Sequence, residues 1–597
     1  MREIAVPSVV TIAPAATLGD CVFANAAEDP GHAAFAVRSG AGWVDVTAAD
    51  FAADVAALAK GFMAAGVGHG DRVVLMSKTR YEWTLVDYAL WVAGAVSVPI
   101  YETSSAEQVT WILSDSGAVG AVVETDAHRA LVDDARAEAP DLRSTWQIDG
   151  TGLDDLRAAG ADTDDAALSA RREETTSRSL CSIIYTSGTT GRPKGCELTH
   201  ANLLYDVGGA IPGLGGLFNK EGSTLLFLPL AHVFARLIQC GAVQTGAKLG
   251  HTADVKNLLA DLGGFTPTFL LSVPRVFEKI YNGSKQKAHG AGKGKIFDTA
   301  EDTAIAWSRA QDSGGPGIAL KAKHAMFDKL VYSKLRAAMG GRCHSAVSGG
   351  APLGERLGHF FRGIGLTIFE GYGLTETSAA ASVNLRDAIR IGTVGRPVPG
   401  TSLRIAADGE IMIKGPQVMR GYWKNAAATE EVLTPDGWFH SGDLGKLDKD
   451  GFLTITGRKK EIIVTSGGKN VAPSVLEDRL RAHPLVSQCM VVGDQMPYIA
   501  CLVTIDPDAL PTWVEANGKP AGSGAADLRE DPDLVAAIQS AVDEANKAVS
   551  SAEGIKRFRI LDRDFSIETG ELTPKLSMRR AVVLKEYAGD VSALYRR

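Results

Sequence analysis

Tyr185-Thr186-Ser187-Gly188-Thr189-Thr190-Gly191-Arg192-Pro193-Lys194-Gly195 follows directly on the apolar run Cys181-Ser182-Ile183-Ile184. The two together read as a strand that runs into an anion cradle. Glycines at 188, 191 and 195 let the backbone approach an anion and aim successive amides at it, and the hydroxyls of Thr186, Ser187, Thr189 and Thr190 add neutral donors. Lys194 supplies a compact positive charge. A polyphosphate is the ligand such a loop suits. The pattern G-x-x-x-x-G-K-[ST] does not fit, because Pro193 stands where its second glycine would be and Gly195 follows the lysine.

Upstream of the loop the chain alternates strand and helix patterns. Arg72-Val73-Val74-Leu75-Met76, a helical 81–93, Ala95-Val96-Ser97-Val98-Pro99-Ile100, a helical 105–113 and Ala118 to Val123 make a βαβαβ series, which predicts a parallel sheet covered by helices. Residues 149–179 are polar, rich in Asp, Ala and Arg and free of aromatics, and are expected to form an exposed connector. Downstream, a helix is expected to start near Thr199 or His200, and 225–234 reads as a buried strand ending in a proline turn and His232. Residues 282–295, with Lys285, Lys287, His289, Lys293 and Lys295 among glycines, read as a solvated flexible loop rather than a lipid-headgroup contact. The stretch 296–339 is helical in pattern, and no internal repeat or heptad is present.

Two more strand-to-glycine turns follow, at Ala346-Val347-Ser348-Gly349-Gly350-Ala351 and at Thr367 to Thr377, the second containing Tyr372-Gly373-Leu374-Thr375-Glu376. Such turns are where α/β sheets open a ligand crevice. His440-Ser441-Gly442-Asp443 offers a carboxylate on a further turn. Gly457-Arg458-Lys459-Lys460-Glu461 precedes a Gly/Ser/Lys loop at 466–470, and 474–597 alternates helix and strand in the manner of a compact α+β unit.

At nearly every position the 185–195 stretch resembles the signature loop of the adenylate-forming superfamily of acyl-CoA synthetases, peptide-synthetase adenylation domains and luciferases. Taken in order, the five separated motifs extend the resemblance over about residues 40–585, and 271–281 is similar to a segment of the long-chain fatty-acyl branch. The resemblance implies an α/β fold: a large N-terminal domain of several subdomains over 1–457, with parallel sheets covered by helices and a small β-rich part, a hinge at 458–460, and a small mobile α+β domain over 461–597. It implies fatty acid, ATP and CoA as substrates and Mg2+ as the metal. Fatty acid and ATP would give acyl-adenylate and pyrophosphate, and the CoA thiol would then give acyl-CoA and AMP.

Within that resemblance the roles distribute as follows. Thr186, Ser187, Gly188, Thr189, Thr190, Gly191 and Lys194 would hold the phosphates. Tyr372 would stack on adenine, with Gly349, Gly350, Ala351 and Gly373 edging the base. Thr375 would donate to a phosphate oxygen, Glu376 would supply a hard oxygen to the metal, and Asp443 would accept from the ribose hydroxyls. Arg458 would meet ribose or α-phosphate, Lys460 would be the pivot, and Gly468 and Lys469 would line the pantetheine channel. His232 would lie where the acyl carboxylate meets ATP. The long-chain branch has a catalytic lysine where Ser577 stands, and here the lysine is Lys575; in an extended segment residues two apart share a face, so Lys575 is assigned the role. Two rival readings are a fatty acyl-AMP ligase serving a stand-alone carrier protein and a non-catalytic nucleotide- or lipid-binding relative.

Composition narrows the remaining classes. A chain of 597 residues exceeds one core, 45% hydrophobic and 22% charged residues is the balance of a globular protein, and a net charge of −8 argues against nucleic acid. Seven cysteines without a C-x-x-C pair suggest neither a disulfide framework nor a zinc site and fit a reducing cytoplasm. Arg2-Glu3, Pro7 and Pro14 make a poor signal peptide, and the uncharged stretch 88–101, at 14 residues, is too short to span a bilayer, so any membrane contact is expected to be peripheral. The sequence does not fix the oligomeric state.

Overall fold

The computed structural model describes residues 2–40, 42–186, 192–253, 257–573 and 576–596. A seven-stranded sheet runs in the order Gly421–Tyr422, Lys194–Thr199, Leu180–Thr186, Val96–Ile100, Arg72–Met76, Gly120–Val123, Ser144–Gln147. Its last five strands are parallel, and the hairpin Leu180–Thr186/Lys194–Thr199 adds an antiparallel edge. The βαβαβ series is therefore found as expected. Its central strands Arg72–Met76 and Val96–Ile100 are buried and mostly apolar because helices such as Tyr81–Val92, itself buried almost end to end, cover the sheet.

A second sheet places Phe269–Ser272, Ser345–Ser348 and Thr367–Tyr372 parallel to one another, followed antiparallel by Ser382–Val383 and Arg396–Pro397. A third, smaller sheet is built from Ser223–Leu226, Lys248–His251, Ala33–Ser39 and Gly42–Thr47. The β-rich part is an antiparallel sheet of Glu3–Ala5, Ser402–Ile405, Glu410–Lys414, Phe439–Leu447 and Leu453–Arg458. The sheets are tied together by a polar group in the core. Arg236, fully buried, donates to Asp87 through Nε (2.9 Å) and Nη2 (2.5 Å) and to Ser182 Oγ (2.5 Å), while Gln239 also donates to Asp87. Such a bidentate pair tolerates burial because its remaining donors are satisfied.

Three local expectations are corrected. The 149–179 stretch is not an exposed connector: it folds into the helices Gly152–Ala159 and Asp165–Glu174, whose Leu153, Leu156 and Leu168 join the main core. Three leucines suffice because Gly61 and Gly160 let the first of these helices lie directly on its neighbour; a Cβ on Gly61 would come within 2.2 Å of the Leu156 carbonyl oxygen. The 282–295 stretch is likewise helical, the helix Pro274–Gly290 turning at Gly292 into Gly294–Gln311. In 225–234 the strand ends at Leu226, and His232 is the N-cap of the helix Val233–Thr245.

The C-terminal domain has its own core, formed around the sheet Val486–Val492, Ile499–Ile505, Ile555–Ile560 and the helices Pro473–Arg481 and Pro532–Asn546. It meets the large domain through Arg275, which donates to Ser487 Oγ (2.9 Å) and Asp506 Oδ2 (3.3 Å). Two carboxyls lie in this zone. Burial pushes Glu370, which accepts from the Leu353 amide at 3.0 Å, up to about 7, and pushes Asp478 up to about 7 against the pull of Arg481, with Glu477 and Glu278 adding to the rise. A carboxyl with a raised pKa holds its proton longer in the packed state than in the free one. The stabilisation it gives is therefore largest in acid and falls as pH climbs from the ordinary carboxyl values of 4.5 and 3.8 toward about 7. Thermal unfolding followed between pH about 5 and about 8 is expected to show a midpoint that drops and then levels, and Glu370→Gln is expected to flatten part of that slope. A slope unchanged in the variant would remove Glu370 from the account.

Candidate active site

The phosphate-side stretch is a hairpin whose two ends are described. Thr186 pairs in register with Lys194, its Oγ1 donating to the Lys194 carbonyl at 3.5 Å, and Ile184 pairs with Cys196. Ser187, Gly188, Thr189, Thr190 and Gly191 lie outside the described residues. Beyond them the returning strand is anchored from the side: Trp111 Nε1 donates to the Pro193 carbonyl at 2.9 Å, and the Arg192 guanidinium lies 4.7 Å from the Trp111 ring centroid. Gly195 is required by packing, since a Cβ there would stand 2.6 Å from Ile183 Cγ2.

Lys194 is aimed by an aromatic that its own motif does not contain. Tyr422 pairs with Cys196 across the sheet edge, which brings its ring to 5.1 Å from Lys194 Nζ and its hydroxyl to 2.9 Å from Glu376 Oε1, to which it donates. Burial, together with the Glu376 charge, holds the Tyr422 phenol protonated far above the usual range. Lys194, Tyr422 and Glu376 thus form a chain of cation, ring and carboxylate beside the end of the phosphate hairpin.

Glu376 sits in a short 3-10 turn, Thr375–Thr377, and its carbonyl accepts from the Met419 amide at 2.8 Å. The turn is over-determined. Thr377 Oγ1 accepts from the Leu374 amide at 2.9 Å, Ser378 and Ala379 adopt φ of 58° and 119°, and a Cβ on Gly373 would lie 1.6 Å from the Ala379 carbonyl oxygen. Non-glycine residues hold such backbone only where the surroundings enforce it, and functional turns are where this concentrates.

On the other side of Gly373, Tyr372 donates to Asp443 Oδ2 at 2.7 Å, and Arg458 Nε lies 3.0 Å from Asp443 Oδ1. Asp443 and Arg458 are register partners on adjacent strands, so the pairing follows from the sheet. Burial raises the Asp443 carboxyl, while Arg458 and Tyr372 pull it down. Each carboxylate oxygen keeps a second acceptor lone pair for a ligand hydroxyl. Gly349, Gly350 and Ala351 follow Ser348, which is level with Glu370 in the neighbouring strand. Gly350 has φ +83°, and Gly349 lies against the Phe234 ring, which a Cβ at this position would approach to 3.1 Å. Phe234 belongs to the helix that His232 caps by accepting the Phe234 amide on Nδ1 at 3.1 Å, which sets His232 near the glycine turn.

Three assigned residues are not brought to this cluster. Gly468, with φ +76°, and Lys469 are on the hairpin Ile463–Val464/Asn470–Val471, and Lys469 Nζ is 3.3 Å from Glu553 of its own domain. Lys460 is exposed in the short turn Lys459–Glu461 that follows the strand Leu453–Arg458. Lys575 lies outside the described residues. On either side of it, the Thr573 amide donates to the Ser577 carbonyl at 2.8 Å, the Ser577 amide donates to Thr573 Oγ1 at 3.1 Å, Leu572 bridges Met578 and Leu576 has φ +61°.

Glu376 suits a metal held mainly by phosphate oxygens, because Mg2+ is commonly bound by one or two carboxylates plus substrate phosphates. Among the described residues no group of three His, Cys, Asp or Glu forms a complete protein-only metal site, and no helix is long and apolar enough to cross a membrane. The residues that sequence alone missed are Tyr422, Trp111 and Glu370; Tyr422 and Trp111 reach the phosphate hairpin only through sheet pairing and side packing.

Residues 22–423 match the family described as AMP-binding enzyme, and residues 460–597 match the AMP-binding enzyme C-terminal domain. The chain is 54% identical over 598 residues to the long-chain-fatty-acid–CoA ligase FadD15 of Mycobacterium bovis, with both chains covered completely. Among solved structures, the A domain of a carboxylic acid reductase from Segniliparus rugosus, in complex with AMP and a co-purified carboxylic acid, superposes with a TM-score of 0.74 at 21% identity, over 97% of this chain and 94% of that one. O-succinylbenzoate CoA synthetase from Bacillus subtilis, in complex with ATP and magnesium ion, does so with a TM-score of 0.68 at 20% identity, over 96% and 99%. With its large domain and its C-terminal domain both matched, the chain belongs to the AMP-binding enzymes of the adenylate-forming superfamily.

Proposed function

We propose that the protein is a long-chain fatty acid–CoA ligase that first makes an acyl-adenylate from fatty acid and ATP, releasing pyrophosphate, and then passes the acyl group to CoA, releasing AMP. One observation carries the reading. The unbroken segment 372–376 joins a nucleoside-type cluster, Tyr372–Asp443–Arg458, to a phosphate-type cluster, Glu376–Tyr422–Lys194, beside the strand that begins at Lys194. Full-length likeness to a fatty-acid ligase supports the substrate class.

A free carboxylate is a poor electrophile, and joining it to the α-phosphate supplies a good leaving group. Thr186, Lys194, Thr375 and the 187–191 loop would stabilise the negative charge that moves onto the departing pyrophosphate. Bound at Glu376, Mg2+ would neutralise part of the same charge. Tyr372 with Gly349, Gly350 and Ala351 would hold adenine, Asp443 and Arg458 the ribose, and His232 the acyl entrance. Lys575 would bridge carboxylate and α-phosphate during the first step. The second step needs a thiol at the same carbon, so rotation about 458–460, with Lys460 as pivot between 1–457 and 461–597, would exchange Lys575 for the Gly468–Lys469 hairpin. In this reading the protein works in the cytoplasm, where its seven free cysteines stay reduced, and meets its substrate by peripheral contact with membranes.

Product analysis with a panel of straight-chain acids from short to very long tests it. AMP and acyl-CoA formed in equal amounts, best with long chains, are expected. Acyl-adenylate that accumulates with CoA present, and moves only to an acyl carrier protein, would replace this reading by the carrier-dependent one.

A further inference from the structure

The helix Ile318–Phe327 continues through a π-helical turn, Asp328–Tyr332, into Ser333–Ala338. It packs antiparallel on Gly294–Gln311, as shown by His324 stacked on Trp307 at 4.0 Å and by Tyr332 donating to the Ala300 carbonyl at 2.7 Å. Leu320, His324, Phe327 and Val331 face inward. The outward face is the unusual one: Ile318 is 88% exposed, Met326 49% and Leu330 50%, with Ala319, Ala322 and Ala325 exposed between them. Exposed Lys321 and Lys323 flank these residues and Lys329 lies among them.

Charge is segregated in the same place. Residues 274–344 hold thirteen Lys and Arg against six Asp and Glu, a net +7, while the rest of the chain carries −15, which together make the chain's −8. Asp328, which continues this helix, is engaged by Arg336 at 2.7 Å, and Asp312, at the end of the preceding helix, by Arg362 at 2.6 Å. Lys321, Lys323 and Lys329 form no ion pair among the described residues, which leaves their charge facing outward with the apolar side chains.

We infer that the outer face of 318–330 docks on an anionic lipid surface, with Ile318, Met326 and Leu330 entering the headgroup boundary and the three lysines meeting lipid phosphates. A helix of this length lies in the interface rather than crossing it, and a mixed apolar and lysine face is what such binding uses. A second copy of the chain suits the face poorly, because a two-fold contact would oppose the same lysines. The inference rests on the long-chain reading for its purpose, as an acyl chain of that class resides in bilayers.

Co-sedimentation of the full-length protein with phosphatidylcholine vesicles, and with vesicles containing phosphatidylglycerol as well, tests the face without turnover. Binding that requires phosphatidylglycerol is expected, with a loss of about tenfold in partition for Ile318→Asp/Leu330→Asp and a comparable loss for Lys321→Glu/Lys323→Glu/Lys329→Glu. Both variants are expected to melt like the parent and to ligate a short water-soluble acid at the parental rate. Absence of binding by the parent, or equal binding by parent and both variants, overturns the proposal. So does light scattering that shows an oligomeric parent and monomeric variants, which would make the face a self-interface. Failure of ligation with any fatty acid would sink the functional reading while leaving the sedimentation result standing.

Discussion

Glu376→Gln is expected to slow acyl-adenylate formation by about 10²–10³-fold, the range found when one preorganised charge-stabilising group is removed. The exchange keeps the side-chain shape and an acceptor for the Tyr422 hydroxyl, so the turn at Thr375–Thr377 should stand and the loss should report charge. Measured as fatty-acid-dependent exchange of pyrophosphate into ATP, the defect should ease as magnesium is raised, because a site that has lost its carboxylate but keeps the phosphate oxygens binds the ion more weakly rather than not at all. Transfer of a supplied acyl-adenylate to CoA should change by less than about threefold, since no pyrophosphate charge develops in that step. Equal losses in both steps would place Glu376 in the architecture instead.

Lys575→Ala is the second large effect: a loss of about 10²-fold or more in adenylation, again with transfer from supplied adenylate largely kept. The described neighbours sharpen this test. Ser577 is held through its backbone by two hydrogen bonds with Thr573, so a lysine placed there would start from a backbone point fixed by those bonds. The double change Lys575→Ala/Ser577→Lys is therefore expected not to restore the rate. Full rescue would show that the position two residues on is equivalent.

What the sequence disclosed depended on whether a residue's neighbours in the chain were also its neighbours in space. The βαβαβ series at 71–123 was legible because parallel strands covered on both faces are written as uninterrupted apolar runs. Lys194, Tyr372 and Glu376 were legible because each stands on a strand-to-turn junction whose glycines and hydroxyls are adjacent in sequence. Tyr422 was not, because it arrives on a two-residue edge strand that pairs with Cys196 across more than two hundred positions of chain. The helices in 149–179 were hidden by their polar surfaces, each needing only one or two leucines because the first lies so close to Gly61. In 282–295 the lysines and glycines that suggest a loop close one helix and open the next, with Lys285 turned onto the buried Glu301 at 2.9 Å. Nor did the sequence disclose that the Thr573 hydroxyl captures the Ser577 amide four residues on.

The central claim is that a carboxyl oxygen of the fatty acid becomes bonded to the α-phosphorus of ATP. Turnover of a long-chain fatty acid labelled with 18O in both carboxyl oxygens, with unlabelled ATP, CoA and water, tests this most directly by mass spectrometry of the nucleotide product. Attack of the carboxylate on the α-phosphorus followed by thiol attack on the acyl carbon leaves one carboxyl oxygen behind, so AMP carrying a single 18O is predicted. AMP without label, or ADP as the product, would contradict the account.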